Sequence, residues 1–144
     1  MDGLKLHRGG RNGVRSSASA RTCIVEDGAS APFGGVWVVA DRPLARLRGL
    51  AGRAPDKTVM AFPRCRDVHT MTMRYPLDVA FLDRAGIVVE VRRFVLPGMR
   101  LSNRRASGVV ERFYQPGPWF VRGDRCRMEG SSAKRPIRRK RRRA

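Results

Sequence analysis

Long apolar runs are absent from this sequence. The longest, such as residues 36–40, are far shorter than the roughly 20 apolar residues that a membrane-spanning helix needs. The residues before Cys23 also lack the unbroken apolar core of about 7 to 15 residues that a secretory signal contains. These absences predict a cytoplasmic protein without a transmembrane segment.

Cysteine is scarce as well. The chain has three cysteines, Cys23, Cys65 and Cys126, and no two of them form a Cys-x-x-Cys pair. An odd number of widely spaced cysteines argues against a disulfide framework and is typical of a reducing compartment. The sequence therefore predicts three free thiols.

Signatures of nucleotide and zinc chemistry are missing too. No G-x-x-x-x-G-K-[ST], G-x-G-x-x-G or H-E-x-x-H pattern occurs, so neither a phosphate-binding loop nor a zinc peptidase is supported. We therefore predict no cofactor, no bound metal and no assigned catalytic residue. The sequence leaves open whether the protein is an enzyme, and it favours the interpretation that it is not.

Acidic residues are few. Twelve of them stand against 31 basic residues, which gives a net charge of +19, and the excess is concentrated at the two ends. Residues 1–22 carry five basic residues against one acid, and residues 134–143 carry eight basic residues and no acid. Neither segment has enough apolar surface to offset the entropy of ordering. We expect a flexible basic leader over residues 1–31 and a disordered polybasic tail over residues 130–144.

The tail indicates one class of partner. A disordered polycation binds nucleic acid by releasing counterions, and without aromatic residues that stack on bases the binding is independent of sequence. The predicted nucleic-acid-binding residues are the basic side chains of the tail, Lys134, Arg135, Arg138, Arg139, Lys140, Arg141, Arg142 and Arg143. A polyanion bound through the tail is therefore one expected partner, and the physiological partner is otherwise unknown.

One stretch between the two ends predicts a helix. Asp41 is a suitable N-cap, and Pro43 falls in the first turn, where its missing N–H costs nothing. Leu44 and Leu47 recur on one face, and Gly52 supplies a left-handed stop. We therefore predict a short amphipathic helix over about residues 42–51.

Most of the remaining order signals predict strands. Residues 57–62 and 78–83 are apolar on both faces, as in inner strands. Residues 83–86 have the chemistry of a tight turn and are followed by clean alternation over 87–95, which predicts a β-hairpin. The predicted fold is α+β and β-rich, with a strongly bent or partly closed antiparallel or mixed sheet and one short helix.

Three stretches resemble the DUF192 family of small bacterial and archaeal domains. Residues 40–53, ADRPLARLRGLAGR, are similar to a helix that ends in R-x-x-G-L-x-G-R. Residues 69–91, HTMTMRYPLDVAFLDRAGIVVEV, are similar to the family core H-T-x-x-M-R-x-P-[IL]-D-x-x-F-L-D-x-x-G. Residues 108–111 and 123–125 resemble its closing strands. The resemblance implies a DUF192-like domain over residues 36–129 that is compact, sheet-based and without an established activity.

The candidate pocket follows from the same stretches. Its predicted residues are polar or soft side chains near the family core, namely Arg48, His69, Met73, Arg74 and Asp78. We expect Asp78 to be a structural residue that accepts backbone amides and pairs with Arg74 or Arg48. The expected function is that of a small binding or accessory module, and non-specific nucleic-acid binding through the tail is the alternative.

A second alternative places a metal site or an enzyme around His69. If residues 67–73 form a strand, His69, Met71 and Met73 share one face, and with Cys65 they form a soft ligand set suited to Cu(I). A nucleophilic arrangement of Cys65, His69 and Asp78 has the required residue types. The competing interpretation is that the methionines fill the core and His69 makes a structural hydrogen bond.

Overall fold

The protein is represented by a computed structural model in which residues 21–42, 46 and 48–128 are described. These residues form ten strands and one short 3-10 turn, Pro32–Gly34. In chain order the strands are β1 Thr22–Val25, β2 Ser30–Ala31, β3 Gly35–Val39, β4 Thr58–Pro63, β5 Asp67–His69, β6 Leu77–Leu82, β7 Val88–Val95, β8 Arg100–Ser102, β9 Gly108–Phe113 and β10 Arg125–Met128.

A six-stranded sheet with the order β2-β3-β4-β9-β6-β7 organises the molecule. Only β3 and β4 are parallel within it, and the other neighbours are antiparallel. Two small ribbons accompany this sheet. In one of them β5 pairs with β8 in antiparallel fashion, and in the other β1 pairs with β10 in parallel fashion.

The inner strands of the large sheet are covered on both faces. All residues of β6 and β9 are buried, which explains why their sequences are apolar on both sides. One buried cluster, on one face of the sheet, contains Trp37, Val110 and Cys126. The other, on the opposite face, contains Leu77, Val109 and other large apolar side chains. The candidate pocket described below lies on this second face.

The predicted hairpin is confirmed. Strands β6 and β7 are antiparallel neighbours. Asp83 stabilises the turn between them, because its Oδ1 accepts hydrogen bonds from the amides of Ala85 (2.9 Å) and Ile87 (3.0 Å). Gly86 has a φ of 76°, the left-handed conformation that favours glycine. The sequence therefore identified both the strands and the chemistry of this connection.

Other predictions require correction. A partly closed sheet is not supported, because β2 and β7 are the outer strands of the sheet and do not pair with each other among the described residues. The helix over about residues 42–51 is not supported either: 43–45 and 47 lie outside the described residues, and only positions 46 and 48 are helical within them. Gly52 does have the predicted left-handed φ, at 73°. The described fold is β-rich.

The two ends of the chain also differ from expectation in part. Strands β1 and β2 lie within residues 22–31, which the sequence placed in the flexible leader. The rest of the leader, 1–20, and the tail from residue 129 onward lie outside the described residues. No helix in the described part of the chain has the length and apolar character that crossing a membrane requires.

Candidate functional site

A cleft on the second face of the large sheet contains most of the predicted pocket residues. Its inner cavity, of about 70 Å³, is lined by residues that include Arg48, His69, Met73 and Glu111. An outer cavity, of about 520 Å³, is lined by residues that include Arg48, Met73 and Arg74. Because the two cavities share Arg48 and Met73, we treat them as one cleft with an inner and an outer part.

The first wall of the cleft is the segment of residues 46–53. The guanidinium of Arg46 donates to the carbonyls of Pro63 and Arg64, which attaches this segment to the end of β4. Gly49 has a φ of 49°, and a Cβ atom there would lie 3.2 Å from Oε1 of Glu111. Glycine at this position therefore lets the backbone approach the carboxyl group closely.

The second wall is the segment that follows β5. Thr70 is fully buried, its amide donates to the carbonyl of Met99 (2.8 Å), and its hydroxyl donates to the carbonyl of Leu96 (2.7 Å). Its own carbonyl accepts from the amide of Met73 at 3.1 Å, which closes a turn. These bonds fix the backbone between His69 and Met73, so that both side chains line the inner cavity.

Glu111 forms the least exposed charged part of the cleft. It lies on β9 with only 5% of its surface exposed, and within the described residues it makes no ion pair. Burial raises the pKa of its carboxyl group to about 7, although a hydrogen bond with the backbone of Leu50 opposes the rise. Near neutral pH this group is therefore able to accept or release a proton.

The arginines of the cleft divide into two kinds. Arg46 is committed to backbone carbonyls, and Arg53 pairs with Asp56 at 2.9 Å. Arg48 and Arg74 are exposed and have neither an ion pair nor a side-chain hydrogen bond in the described part of the chain. Two unpaired guanidinium groups at the opening of a cleft favour the binding of an anionic group.

Asp78 is the one predicted pocket residue that lies elsewhere. Leu77 lines the inner cavity, so its neighbour Asp78 points to the opposite face of the sheet. There its carboxylate accepts from Nε of Arg112 (3.0 Å), from Nε of Arg93 (2.8 Å) and from the amide of Phe94 (3.3 Å). The predicted structural role agrees with these bonds, but the predicted pairing with Arg74 or Arg48 is wrong.

The structure does not bring together all the ligands that the metal hypothesis requires. Strand β5 ends at His69, and Met71 lies in the following turn with 65% of its surface exposed. The predicted strand over 67–73 is therefore wrong, and so is its alignment of three soft ligands. Within the described residues, no group of three or more His, Cys, Asp or Glu residues is placed to hold a metal ion.

The nucleophilic arrangement also fails on geometry. Cys65 and His69 line the inner cavity together, but Asp78 is on the other face of the sheet and cannot orient the imidazole ring. The thiol of Cys65 donates instead to the carbonyl of Asp67 at 3.1 Å. The geometry therefore excludes this alternative, which the sequence does not favour over a structural role for His69.

Sequence reasoning missed Glu111. A signal was present, because Glu111 is the one acid within a six-residue strand, GVVERF, that is buried throughout. An acid in such a strand needs either a partner or a function. The neighbouring Arg112 is not that partner, because adjacent residues of a strand point to opposite faces.

The predicted nucleic-acid-binding residues are not part of this site. All of them belong to residues 134–143, which lie outside the described residues. Binding of a polyanion through the tail therefore stays a prediction from charge.

Comparisons with known proteins give a family and two similar structures. The model of the DUF192 family, described as "Uncharacterized ACR", matches residues 31–113. A protein of unknown function from Novosphingobium aromaticivorans is 19% identical with a TM-score of 0.49; the match covers 56% of this chain and 64% of that one. A suggested transcription regulator from Sinorhizobium meliloti is 23% identical with a TM-score of 0.48, over 56% of this chain and 69% of that one. No curated protein matches the chain.

Proposed function

Because the chain belongs to the DUF192 family, for which no activity is described, we propose from its geometry that it is a small binding module with its ligand site in the cleft. The observation that carries the proposal is Glu111. A buried acid without an ion-pair partner among the described residues lowers stability when it ionises, and here it lines a cavity that opens between two fixed walls. A loss of stability of this kind, in exchange for a titratable group beside a cavity, is typical of a functional site.

The charges of the cleft support a ligand of a particular chemistry. Arg48 and Arg74 are available for an anionic group at the outer cavity. Glu111 at the inner cavity offers a hydrogen-bond donor when protonated and an acceptor when ionised. The ligand class that fits is a small polar molecule with an anionic group at one end and a hydrogen-bonding group at the other.

The sizes of the two cavities agree with this ligand class. The outer cavity, of about 520 Å³, falls within the range of about 300–1,000 Å³ that is common for small-molecule sites. The inner cavity, of about 70 Å³, has room for a single functional group or a few water molecules. A ligand would therefore lie mainly in the outer cavity and reach Glu111 with one polar group.

Sulfate is a suitable probe because its charge does not change between pH 5 and pH 9. We expect a sulfate titration, followed by NMR chemical shifts, to move the signals of Arg48 and Arg74 most. Ionisation of Glu111 places a negative charge beside the anion, so sulfate binding should weaken as the pH rises through about 7. His69 lines the same cavity, so the comparison is made in His69→Gln proteins, where adding Glu111→Gln should remove this pH dependence.

Matched variants make this test specific. Arg48→Ala and Arg74→Ala should each weaken sulfate binding, whereas Arg127→Ala removes the same charge from an exposed position on β10 and should leave it unchanged. Equal losses in all three variants would mean that sulfate responds only to net charge. That result would contradict a built site in the cleft.

A further inference from the structure

The ribbon of β1 and β10 brings together two cysteines that are far apart in sequence. The two strands are parallel, and Cys23 pairs directly with Cys126 in their register. Both side chains belong to the same core cluster: Cys126 is fully buried and Cys23 is packed against it at intermediate exposure. The sequence, which predicts three isolated thiols, gave no sign of this contact.

The spacing of the pair is compatible with a covalent bond. Neighbouring strands lie about 4.8 Å apart, and a disulfide joins Cα atoms that are about 4.4–6.8 Å apart. Because directly paired residues of a parallel ribbon point to the same side, the two thiols face each other.

The surroundings hold Cys126 in place. Its amide donates to the carbonyl of Gly86 at 2.7 Å, and a Cβ atom at Gly86 would lie 2.5 Å from the carbonyl oxygen of Cys126. The backbone at this point is therefore packed against the turn of the β6–β7 hairpin. Cys23, which is partly exposed, is the partner with more freedom to adjust.

The two thiols differ in reactivity. Cys126 is fully buried, whereas Cys23 is partly exposed, so a small disulfide reaches Cys23 first. The neighbouring Cys126 thiol lowers the pKa of Cys23, although burial and the charge of Asp124 oppose this effect. Because the accessible thiol is the one that attacks in disulfide exchange, Cys23 is the attacking group and Cys126 the resolving one.

We propose that Cys23 and Cys126 form a reversible redox site that closes to an intrachain disulfide by exchange with a small-molecule disulfide. In the first step the Cys23 thiolate attacks one sulfur of the small disulfide, a mixed disulfide forms, and one small thiolate leaves. In the second step the Cys126 sulfur, as it gives up its proton, attacks Sγ of Cys23 and displaces the second small thiolate. Two protein thiols are oxidised, and one small disulfide is reduced to two thiols, which take up the released protons.

The bond would connect the two sides of the whole domain. Residues 31–113, which match the family model, all lie within the loop that it closes. A crosslink that closes so long a loop restricts the unfolded chain strongly and stabilises the folded one. Both cysteines lie outside the family-matched region, and the site that they form is independent of the proposed cleft.

Cys65 provides an internal control. It has intermediate exposure like Cys23, but its thiol contacts the carbonyl of Asp67, and neither of the other cysteines is its partner. An oxidant that acts only on accessible thiols should modify Cys65 and Cys23 alike. A dithiol site should instead join Cys23 and Cys126 in one disulfide, and Cys65 should still react with a thiol reagent.

The full chain should be incubated under native conditions with glutathione disulfide, and the products identified by free-thiol counting and peptide mass mapping. We expect Cys23 and Cys126 to lose their free thiols together. Peptide mapping should then show a pair of peptides linked through these two residues rather than a glutathione adduct on either one. The melting temperature should rise by about 5–15 °C, and dithiothreitol should reverse the change. A Cys23–Cys126 pair that stays reduced while Cys65 is modified would overturn the proposal.

Variants separate the two steps. Cys126→Ser should leave Cys23 as a stable mixed disulfide with glutathione, because no resolving thiol remains. Cys23→Ser changes the half-exposed partner, so it should fold even if replacement of the buried Cys126 does not, and it should leave Cys126 unreactive. Cys65→Ser should form the intrachain bond as the wild type does. Equal glutathionylation of Cys23 in the wild type and in Cys126→Ser would also contradict the proposal.

Discussion

Glu111 and Arg112 are neighbours on β9, and both are buried, yet their electrostatic surroundings are opposite. Arg112 lies on one face of the sheet, where its Nε donates to Asp78 at 3.0 Å and its guanidinium is 4.3 Å from the ring centre of Trp119. Glu111 lies on the other face, where it makes no ion pair among the described residues and lines a cavity. The buried charge of Arg112 is therefore compensated by a carboxylate, whereas that of Glu111 is not. We call the first face of the sheet the compensated face and the second the uncompensated face.

The difference separates a structural site from a functional one. Asp78 and Arg112 face each other across β6 and β9, and the ion pair between them satisfies both buried charges, so that neither is free to bind a ligand. Glu111 has a pKa close to neutral pH because it makes no ion pair among the described residues, and only a hydrogen bond with the backbone of Leu50 opposes the effect of its burial. A buried charge that remains unpaired beside a cavity is therefore the better guide to function.

The largest expected effect is on the compensated face. Asp78→Ala leaves the buried Arg112 without its carboxylate, so the free energy of unfolding should fall by about 3–5 kcal/mol. Urea denaturation would measure this loss. Asp67→Ala is the control, since it removes an exposed pair with Arg100 (3.7 Å) and should cost no more than about 1 kcal/mol. Similar losses in the two variants would mean that the buried cluster contributes nothing special.

The next effect is on the uncompensated face and has the opposite sign. The folded-state pKa of Glu111, about 7, is above the ordinary value of 4.5, so folding binds a proton between these values and stability falls as the pH rises through this window. Glu111→Gln removes the penalty. The variant should match the wild type below about pH 4.5 and exceed it by about 3 kcal/mol above pH 7.

Glu90→Gln is the matched control for this pH dependence. A hydrogen bond from Asn103 and the nearby Arg92 lower the pKa of Glu90, so its contribution to stability is present above its ordinary pKa and is lost as the pH falls. Thermal melts at pH 3, pH 4.5 and pH 8 should therefore separate the two variants. Relative to the wild type, Glu111→Gln should change between pH 4.5 and pH 8, and Glu90→Gln should change below pH 4.5. A constant offset between Glu111→Gln and the wild type at pH 4.5 and pH 8 would contradict the assigned pKa.

A smaller effect is expected at the outer edge of the compensated cluster. Arg93 donates to Asp78 at 2.8 Å, but 36% of its side chain is exposed, and solvent screens the pair. Arg93→Ala should lower the free energy of unfolding by about 1–2 kcal/mol, because hydrogen bonds to Gly117 and Gln115 are lost as well. A loss as large as that of Asp78→Ala would show that the exposed arginine, rather than Arg112, carries the cluster.

The smallest effect on stability is expected at the opening of the cleft. Arg48 is exposed and unpaired within the described residues, so Arg48→Ala should change the free energy of unfolding by no more than about 0.5 kcal/mol. The same variant should lose sulfate binding. Differential scanning calorimetry alongside the sulfate titration would reveal whether binding and stability are separable here, and a large loss of stability would assign Arg48 a structural role instead.

The central hairpin was predictable because its signals are local. Apolar residues on both faces identified β6, and Asp83 with Gly86 identified the turn. The ribbon of β1 and β10 was not predictable, because each strand has only four residues and the pairing joins the two sides of the chain. Strand β5 was predicted too long, since the buried Thr70 turns the backbone through bonds to residues that are distant in sequence.

The candidate site was predictable in part for a similar reason. Arg48, His69, Met73 and Arg74 line the inner or the outer part of the cleft, and all four belong to two stretches that resemble family motifs. Asp78 belongs to the same stretch as His69, but the alternation of β6 sends it to the other face. The partner of each buried charge depends on the neighbouring strand, and a single sequence does not give that register.

The outer edge of β7 has a consequence for behaviour at high concentration, because among the described residues the backbone of Gly123 and Asp124 covers it only at Val88. An exposed edge strand invites another chain to add to it, which leads to aggregation. In this strand the register with β6 is interrupted near Leu77, and Phe94 adopts a φ of 53°, so a straight partner cannot pair along its full length. Since the amide of Phe94 donates to Asp78, a change at Asp78 would also release this kink and make the molecule more prone to self-association.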